Sequence, residues 1–587
     1  MRDDLRRRGI GLGCVLLVSL AMLVPGAWGR AERRSLFNGK DLDGWTVVEK
    51  GRWSVQFDDE NKNGKRDRGE PMCIVGEQDP DAKAESWLLS NEEFADFSLT
   101  AAVRTSKGGN SGLFLRVPQD VGKHAAYSGY EIQLWDADEE NPTGSVYGAA
   151  KAPKGLHQVG KWNAITVTAI GKRLVVAVNS KLAVDVESER SLRGRIGFQV
   201  HGGDQYAGMK VEISSISVFP LTTFLPDTPS PVAFKIHQVD NGRSEGCQVF
   251  DINKDGQLDI TCGPRWYEGP RWTPHDFRYV KPQGNFMNDY GECAIDVDSD
   301  GWTDIVSGGW FANEKGENWF ASYRNPGAKG GKWAETVIDR EKLFIETLLM
   351  ADVDGDGDAG EFITDCPQAA WYGRVGKGDA AKIVRHNIGK QGVSHGLGFG
   401  DLDGDGRGDL VRPDGFYRGP KDPRTDEWEW CPEFDIGHTG IPCPVHDLNG
   451  DGSADVIYGQ GHDFGLYWLE QGRSGGKRTW TNHAIDQTSS QTHTITLADL
   501  DGDGDLDIVT GKRYHGHGGA DPGAWDGVTV VWYEVSPGPT FKKHVISYNE
   551  GVGVGMQVPI LDIDKDGDLD LVCPGQTGLY VLENLTK

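Results

Sequence analysis

Three things are scarce in this chain of 587 residues: long apolar runs, metal-type cysteine pairs and positive charge. Beyond residue 29 no segment is apolar enough to cross a bilayer, so no membrane insertion is expected. The nine cysteines include no CxxC pair, which excludes thiolate metal centres of the zinc-finger kind. Lys and Arg number 61 against 88 Asp and Glu, a formal net charge of −27. A balance that negative argues against nucleic acid and anionic lipid as partners. The apolar run that does exist is short and N-terminal: Arg2, Arg6, Arg7 and Arg8 precede the stretch from Cys14 to Val24, and Ala27-Trp28-Gly29 offers a cleavage site. This is the pattern of a secretory signal over residues 1–29, and it predicts a secreted or periplasmic protein. Cys14 lies ahead of the apolar run, on the wrong side for a lipoprotein anchor. At this length two or three domains are expected.

What is abundant is acid at alternate positions. Seven loops read Asp251-x-Asn253-x-Asp255, Asp296-x-Asp298-x-Asp300, Asp352-x-Asp354-x-Asp356, Asp401-x-Asp403-x-Asp405, Asp447-x-Asn449-x-Asp451, Asp499-x-Asp501-x-Asp503 and Asp562-x-Asp564-x-Asp566, each closed by a glycine. Six add an acid three residues after that glycine: Asp259, Asp304, Asp409, Asp455, Asp507 and Asp570. The third loop is irregular, with Gly360 there and Glu361 beside it. Alternate carboxylates turned inward by a tight loop make the oxygen cage that Ca²⁺ requires, and the glycine permits the sharp turn. Structural Ca²⁺ in several copies is therefore the expected cofactor, and a catalytic divalent metal stays an open question. A repeat of roughly fifty residues means a propeller or a solenoid.

The loops have companions. An aromatic-x-x-His strand precedes most of them, clearest in Phe234 to His237, Trp480 to His483 and Phe541 to His544. A short β run follows, as in Ile305-Val306, then an aromatic strand such as Trp266-Tyr267-Glu268 or Val531 to Glu534. Residues 232–587 thus divide into seven units of four short strands, which suits a seven-bladed β-propeller. The loops resemble the FG-GAP/VCBS type of propeller repeat, and the resemblance covers the whole C-terminal part. Cys262, Cys366 and Cys573 recur after the loops as buried strand residues would, while Cys431 with Cys443 is the local pair considered for a disulfide. Six residues before each loop stand Glu245, Tyr290, Glu346, His395, Ile441, His493 and Met556. In a propeller these positions form a ring near the channel, where Glu346, His395 and His493 can make a ligand or metal pocket. Four prolines between Pro220 and Pro231 mark residues 221–231 as a stiff linker.

Residues 33–220 alternate like an all-β sandwich. Phe97, Leu99, Ala101 and Val103 share one strand face, as do Ile132 with Leu134, Ile165 with Val167 and Ala169, and Ile196 with Phe198 and Val200. The opposite face gathers Glu131, Gln133 and Trp135, then Gln199 and His201, with Arg116 close by after Asn110-Ser111-Gly112. Large polar and aromatic groups together look like a sugar-binding cleft. The segments Ser35 to Trp45, Asn110 to Arg116, Gly129 to Asp136, Thr143 to Gly148, Trp162-Asn163 and Gly197 to His201 resemble the 3-keto-disaccharide hydrolase-like domain, a concanavalin-like jelly roll. That resemblance implies cleavage of glycosides bearing a C3 ketone, by elimination and hydration. A C3 ketone acidifies the C2 proton, so one base starts elimination and one acid assists the leaving oxygen. Glu131 or His201 can serve as base, Asp136 as a second acid/base or metal ligand, and Arg116 as enolate donor. Gln133, Gln199, Tyr147 and Asn110 would hold hydroxyls, with Trp135 a stacking surface. A carboxylate pair alone also suggests an ordinary retaining or inverting glycosidase, but the sequence does not give the separation of the two groups.

The chain departs from the family at Met209 to Ser214, where an aromatic-Arg-Asn segment is usual. It also carries an insertion, Asp59-x-Asn61-x-Asn63-Gly64-x-x-Asp67-x-x-Glu70, which has the EF-hand loop pattern between strand-like flanks and reads as a Ca²⁺-ordered hairpin. Two readings follow. One is an exported enzyme on keto-sugar glycosides with a propeller that docks to a cell surface or protein partner. The other is a non-catalytic carbohydrate-binding or adhesion protein, because the jelly-roll scaffold hosts lectins as readily as enzymes.

Overall fold

The computed structural model describes residues 33–58, 70–79, 84–119, 128–284, 286–312, 320–339, 345–346, 348–364, 368–389 and 395–587. The signal segment, Cys366, and Asp59, Asn61, Asn63 and Asp67 of the insertion lie outside the described residues. The regular secondary structure of the described residues is almost entirely β-strand, and no described helix is long and apolar enough to cross a membrane.

The N-terminal region is a two-layer sandwich. Its strands are β1 (Arg34–Ser35), β2 (Trp45–Val48), β3 (Arg52–Phe57), β4 (Met72–Glu77), β5 (Ser86–Phe94), β6 (Phe97–Thr105), β7 (Gly112–Val117), β8 (Tyr130–Gln133), β9 (Asn163–Ile170), β10 (Arg173–Val178), β11 (Lys181–Glu187), β12 (Gly194–Val200) and β13 (Lys210–Pro220). One sheet runs β11-β10-β9-β6-β13-β4-β3 with β1 on β13; the other runs β2-β5-β12-β7-β8. Alternation sends Leu99, Val103, Val167 and Ile213 of the first sheet against Leu88, Leu113, Ile132 and Phe198 of the second, in one dry core. The same alternation turns Glu131, Gln133 and Gln199 to the outer face of the smaller sheet.

Among the described residues after Pro220 lie seven successive antiparallel sheets, each with a core of four strands, and one two-stranded pair, Pro282–Gln283 with Phe286–Met287. The first consists of Cys247–Phe250, Asp259–Cys262, Arg265–Glu268 and Thr273–Asp276, with the acidic loop joining its first two strands. The seventh takes three strands from the end of the chain, Ile560–Leu561, Asp570–Cys573 and Leu579–Asn584, and its fourth from the start, Phe234–Asp240. The aromatic-x-x-His segments are thus the outer strands of these sheets. In four sheets the outer-strand histidine lies directly across from a tryptophan and stacks on it: Trp266 on His275 at 4.2 Å, Trp371 on His386 at 4.1 Å, Trp468 on His483 at 4.6 Å and Trp532 on His544 at 4.3 Å between ring centres, whereas His237 lies across from Val581. A glutamate near the end of the aromatic strand then takes the imidazole N–H: Glu268 from His275 at 2.9 Å, Glu470 from His483 at 2.8 Å and Glu534 from His544 at 2.7 Å.

The segment between the regions is docked along its length. Gln487 N donates to Thr223 O at 2.7 Å, Leu225 packs into the sheet core, and Thr228–Pro229 adds a parallel strand beside His544–Val545. Arg33 forks onto Asp463 with both bonds at 2.8 Å, and Arg173 reaches Tyr548 Oη at 2.6 Å. All seven described cysteines are buried free thiols. The expected Cys431–Cys443 bridge does not form: the Cys431 sulfur approaches Glu429 O and the Cys443 sulfur Gly440 O.

The stacks differ in how much depends on them. His544 is buried, holds Glu534, and adjoins Pro229 O and Thr228 Oγ1, whereas the His275 side chain is more than a third exposed. His275→Ala is expected to cost about 0.5–1 kcal/mol, the range of a cross-strand aromatic pair. His544→Ala removes a buried ring and leaves half-buried partners unmet, and is expected to cost about 2–3 kcal/mol. Denaturant unfolding of both variants checks the order.

Candidate functional site

The outer face of the smaller sheet is built in rows. Val48 on β2 lies across from Trp87 on β5, Trp87 across from Gln199 on β12, and Gln133 on β8 across from Gly112 on β7. The next row runs Thr46, Leu89, Gly197, Phe114 and Glu131. Tyr147 joins the edge, its N–H donating to Glu131 O at 2.9 Å. His201 extends the parity of Gln199 past the end of β12.

Glu131 is the most perturbed group on this face. Only 6% of it is exposed. Its carboxyl lies over Gly112, where a Cβ would come within 2.5 Å of Oε1, so glycine makes the space it occupies. Burial first, and the charge of Glu85 second, push its pKa up to about 8, so it carries a proton at neutral pH. His201 Nδ1 is 2.8 Å from Gly202 O, which suits an N–H donated there and turns Nε2 towards Glu85 Oε1 at 3.5 Å. The imidazole also packs on Tyr206 at 4.6 Å, and Tyr206 meets Trp135 edge-on at 5.7 Å. Three buried polar atoms nearby, Trp87 Nε1, Asn110 Oδ1 and Gln199 Oε1, have no hydrogen-bond partner among the described residues. Ser111 Oγ fixes the strand beneath by donating to Gln199 O at 2.6 Å. The face therefore offers a neutral acid, an imidazole, free amide oxygens and an indole N–H, groups that answer a polyhydroxylated ligand.

Two expected members are elsewhere. Arg116 sits at φ 51°, a backbone turn that swings its side chain off the polar face. Its fully buried guanidinium donates to Ala95 O and Gly171 O, both at 2.7 Å, and to Asp96 Oδ1 at 3.0 Å. It ties two turns together and has no donor directed at a substrate on the outer face. Asp136 pairs with His157 at 3.4 Å and takes the Thr143 N–H at 3.3 Å, beside a shallow cavity bounded by Thr105, Trp135 and Gly160. Sequence reasoning missed Glu85 and Trp87; the alternation of Ser86, Leu88 and Ser90 with Trp87 and Leu89 was the available signal.

In the acidic loops the first Asp accepts the closing glycine's N–H in all seven copies, at 2.8–3.0 Å: Gly256 to Asp251, Gly301 to Asp296, Gly357 to Asp352, Gly406 to Asp401, Gly452 to Asp447, Gly504 to Asp499 and Gly567 to Asp562. Those glycines have φ between 86° and 98°, closed to other residues without strain. The carboxylates of Asp296, Asp298 and Asp300, of Asp352, Asp354 and Asp356, and of Asp401, Asp403 and Asp409 converge to within 4.8 Å. The acid that follows the glycine serves the backbone as well. Asp259 takes the N–H groups of Ile252 at 2.9 Å and Gly269 at 2.8 Å, and Asp304, Asp409, Asp455, Asp507 and Asp570 repeat the pattern. Asn253 and Asn449 turn their amides to Glu268 and Glu470 at 3.3 and 3.1 Å. Glu70, the last position of the insertion loop, is buried.

Comparison with known proteins places these regions in a class. Residues 32–218 match the 3-keto-alpha-glucoside-1,2-lyase-like domain family. Residues 447–510 match the FG-GAP-like repeat. The protein therefore contains a 3-keto-disaccharide hydrolase-like domain, carbohydrate-related by family, followed by a region with an FG-GAP-like repeat. A putative glycosyl hydrolase from Parabacteroides distasonis ATCC 8503 is 21% identical, covering 33% of this chain and 95% of its own, with TM-score 0.27. The carbohydrate binding module CBM66 from Bacillus subtilis is 20% identical, covering 29% of this chain and 93% of its own, with TM-score 0.21. Lectin II from Ulex europaeus is 10% identical, covering 30% and 92%, with TM-score 0.20. Among curated proteins none matches the chain.

The placement of Arg116 has a direct test. Replacing a buried, paired arginine strands Asp96 and two carbonyls, so Arg116→Met is expected to cost about 3–5 kcal/mol in denaturant unfolding.

Proposed function

We propose that the N-terminal sandwich cleaves 3-keto-glycosides by elimination followed by hydration. The observation that carries this reading is a buried, protonated Glu131 on the same sheet face as His201. His201 Nε2 removes the C2 proton, the electrons form the C1–C2 double bond through an enolate, and the C1–O bond breaks. The departing oxygen takes its proton back from the imidazolium, and water then adds across the double bond to give the free 3-keto sugar. Neutral Glu131 donates a hydrogen bond to the developing C3 enolate oxygen, the role expected of Arg116 from sequence. Gln133, Gln199, Asn110 and Tyr147 orient hydroxyls, and Trp87 supplies an indole N–H. A carboxyl held neutral is of no special use to a lectin, which favours an enzyme. The second reading, sugar recognition without cleavage, draws on the amide and indole groups of the same face.

The seven sheets are read as the blades of a calcium-stapled propeller in an exported protein. Its support is the number of sheets, the strand Phe234–Asp240 that completes the seventh, and the loop carboxylates. The propeller would dock the enzyme to a cell-surface or protein partner.

Two outcomes are expected. With a 3-keto-glucoside, the full protein releases aglycone, while the unoxidised parent is inert. His201→Ala loses about 10²–10⁴-fold in kcat/KM. The rate falls as pH rises through about 8, where Glu131 ionises, and Glu131→Gln, which keeps a donor, retains part of the rate without that alkaline limb. Binding of both sugars with release of neither would leave recognition as the function. For the loops, chelation lowers the melting temperature and Ca²⁺ restores it, each site adding about 2.7 kcal/mol at 100 times its Kd. Calorimetry that is indifferent to chelator and Ca²⁺ would refute the stapling role.

A further inference from the structure

The seven-sheet region holds a second cluster of a different chemistry. Glu346, His395, His462 and His493 bring one ligand atom each within 4.8 Å of one another. His395 Nε2 lies 3.3 Å from His462 Nε2 and 3.2 Å from Glu346 Oε2. With its Nδ1 bonded to Asp521, His462 presents the Nε2 lone pair to His395 Nε2, as acceptor of that ring's N–H or as a ligand beside it. These two spacings are close to the edge of a tetrahedron around one ion, since ligand bonds of about 2.0–2.1 Å give edges of about 3.3–3.4 Å.

The surroundings are those of a ligand set. Asp521 Oδ2 accepts from His462 Nδ1 at 2.9 Å, which fixes the tautomer and aims Nε2 at the cluster. His517 stacks on His462 at 4.3 Å and bonds the other oxygen of Asp521 at 3.0 Å. His493 Nε2 accepts from Arg513 Nη1 at 3.3 Å, so it is unprotonated and carries a lone pair that Arg513 now occupies. Arg513 is itself held by Glu245 at 2.8 Å and lies 3.6 Å from Glu346, which balances its charge. Glu346, His395 and His493 are buried, while His438 and His517 are exposed beside them.

We propose that Glu346, His395, His462 and His493 form a binding site for one divalent first-row transition ion of the Zn²⁺ class. Three imidazoles and one carboxylate select against Ca²⁺ and Mg²⁺, whose ligands are oxygens, so this site is chemically separate from the acidic loops. On binding, His493 Nε2 exchanges Arg513 for the metal, and Arg513 stays paired with Glu245. The inference does not depend on the glycoside reading, since none of these residues belongs to the sandwich.

The test uses the full chain, stripped with chelator and returned to saturating Ca²⁺ so that the loops are occupied. Co²⁺ titration is expected to give one equivalent with the intense visible bands of a tetrahedral nitrogen-rich site, displaced by equimolar Zn²⁺. His395→Ala and His462→Ala should each weaken Co²⁺ binding at least about 100-fold, and Asp521→Asn about 10–100-fold. An absence of stoichiometric binding, or binding at parental affinity in the folded histidine variants, overturns the proposal. If those variants do not fold, X-ray absorption of the Zn²⁺-loaded parent decides: two or more imidazole scatterers support the site, and an all-oxygen shell refutes it.

Discussion

The seven-sheet region depends on one interaction made repeatedly: a buried carboxylate that accepts two main-chain N–H groups from different parts of its sheet. Asp259 takes one from its own acidic loop, at Ile252, and one from Gly269 just past the aromatic strand. Asp570 does the same for Ile563 and Asn584. An anion out of water accepts strongly, so each bond counts for more than an ordinary neutral one. It welds loop, inner hairpin and aromatic strand before any cation is considered. The proposed cation would act on the remaining lone pairs and on the outer carboxylates of the same loop.

The sandwich uses burial differently. Its core is wholly apolar, and its carboxyl chemistry is displaced to one outer face, where Glu131 is desolvated without a cation. That contrast explains why the same functional group is a scaffold in one region and a reactive candidate in the other. In the loops burial raises the pKa of the acids too, but backbone N–H groups oppose it and hold Asp259 to about 6 and Asp304 to about 7. Over Gly112, Glu131 meets a packed surface and the like charge of Glu85, and the proton stays.

Much of this was legible in sequence for simple reasons. Alternation in β6, β8, β9 and β12 depends only on the two-residue period, so the core and the polar face carrying Glu131, Gln133 and Gln199 could be read directly. The loops were legible because Asp, Asn and Gly recur at fixed offsets. Arg116 was misread because a single left-handed residue reverses a side chain, and no periodicity signals that. Asp136 lies beyond β8, where strand parity no longer applies. The His237-type segments were seen as companions of the loop that follows, whereas pairing gives them to the preceding sheet, and only the register reveals that offset. Glu346, His395 and His493 share a repeat position, but His462 comes from a different part of its repeat and needed the fold to bring it in.

The strand Phe234–Asp240 has a consequence for how the molecule is made. It has no sheet of its own to join until Leu579–Asn584 exists. On the ribosome it must therefore wait, with an unpaired edge, while the intervening sheets form around their own local hairpins. The final act of assembly is a contact between the most distant parts of the region, the slowest kind to form. Six sheets can fold as they emerge; the seventh is a lock that closes only when the whole region has been synthesised.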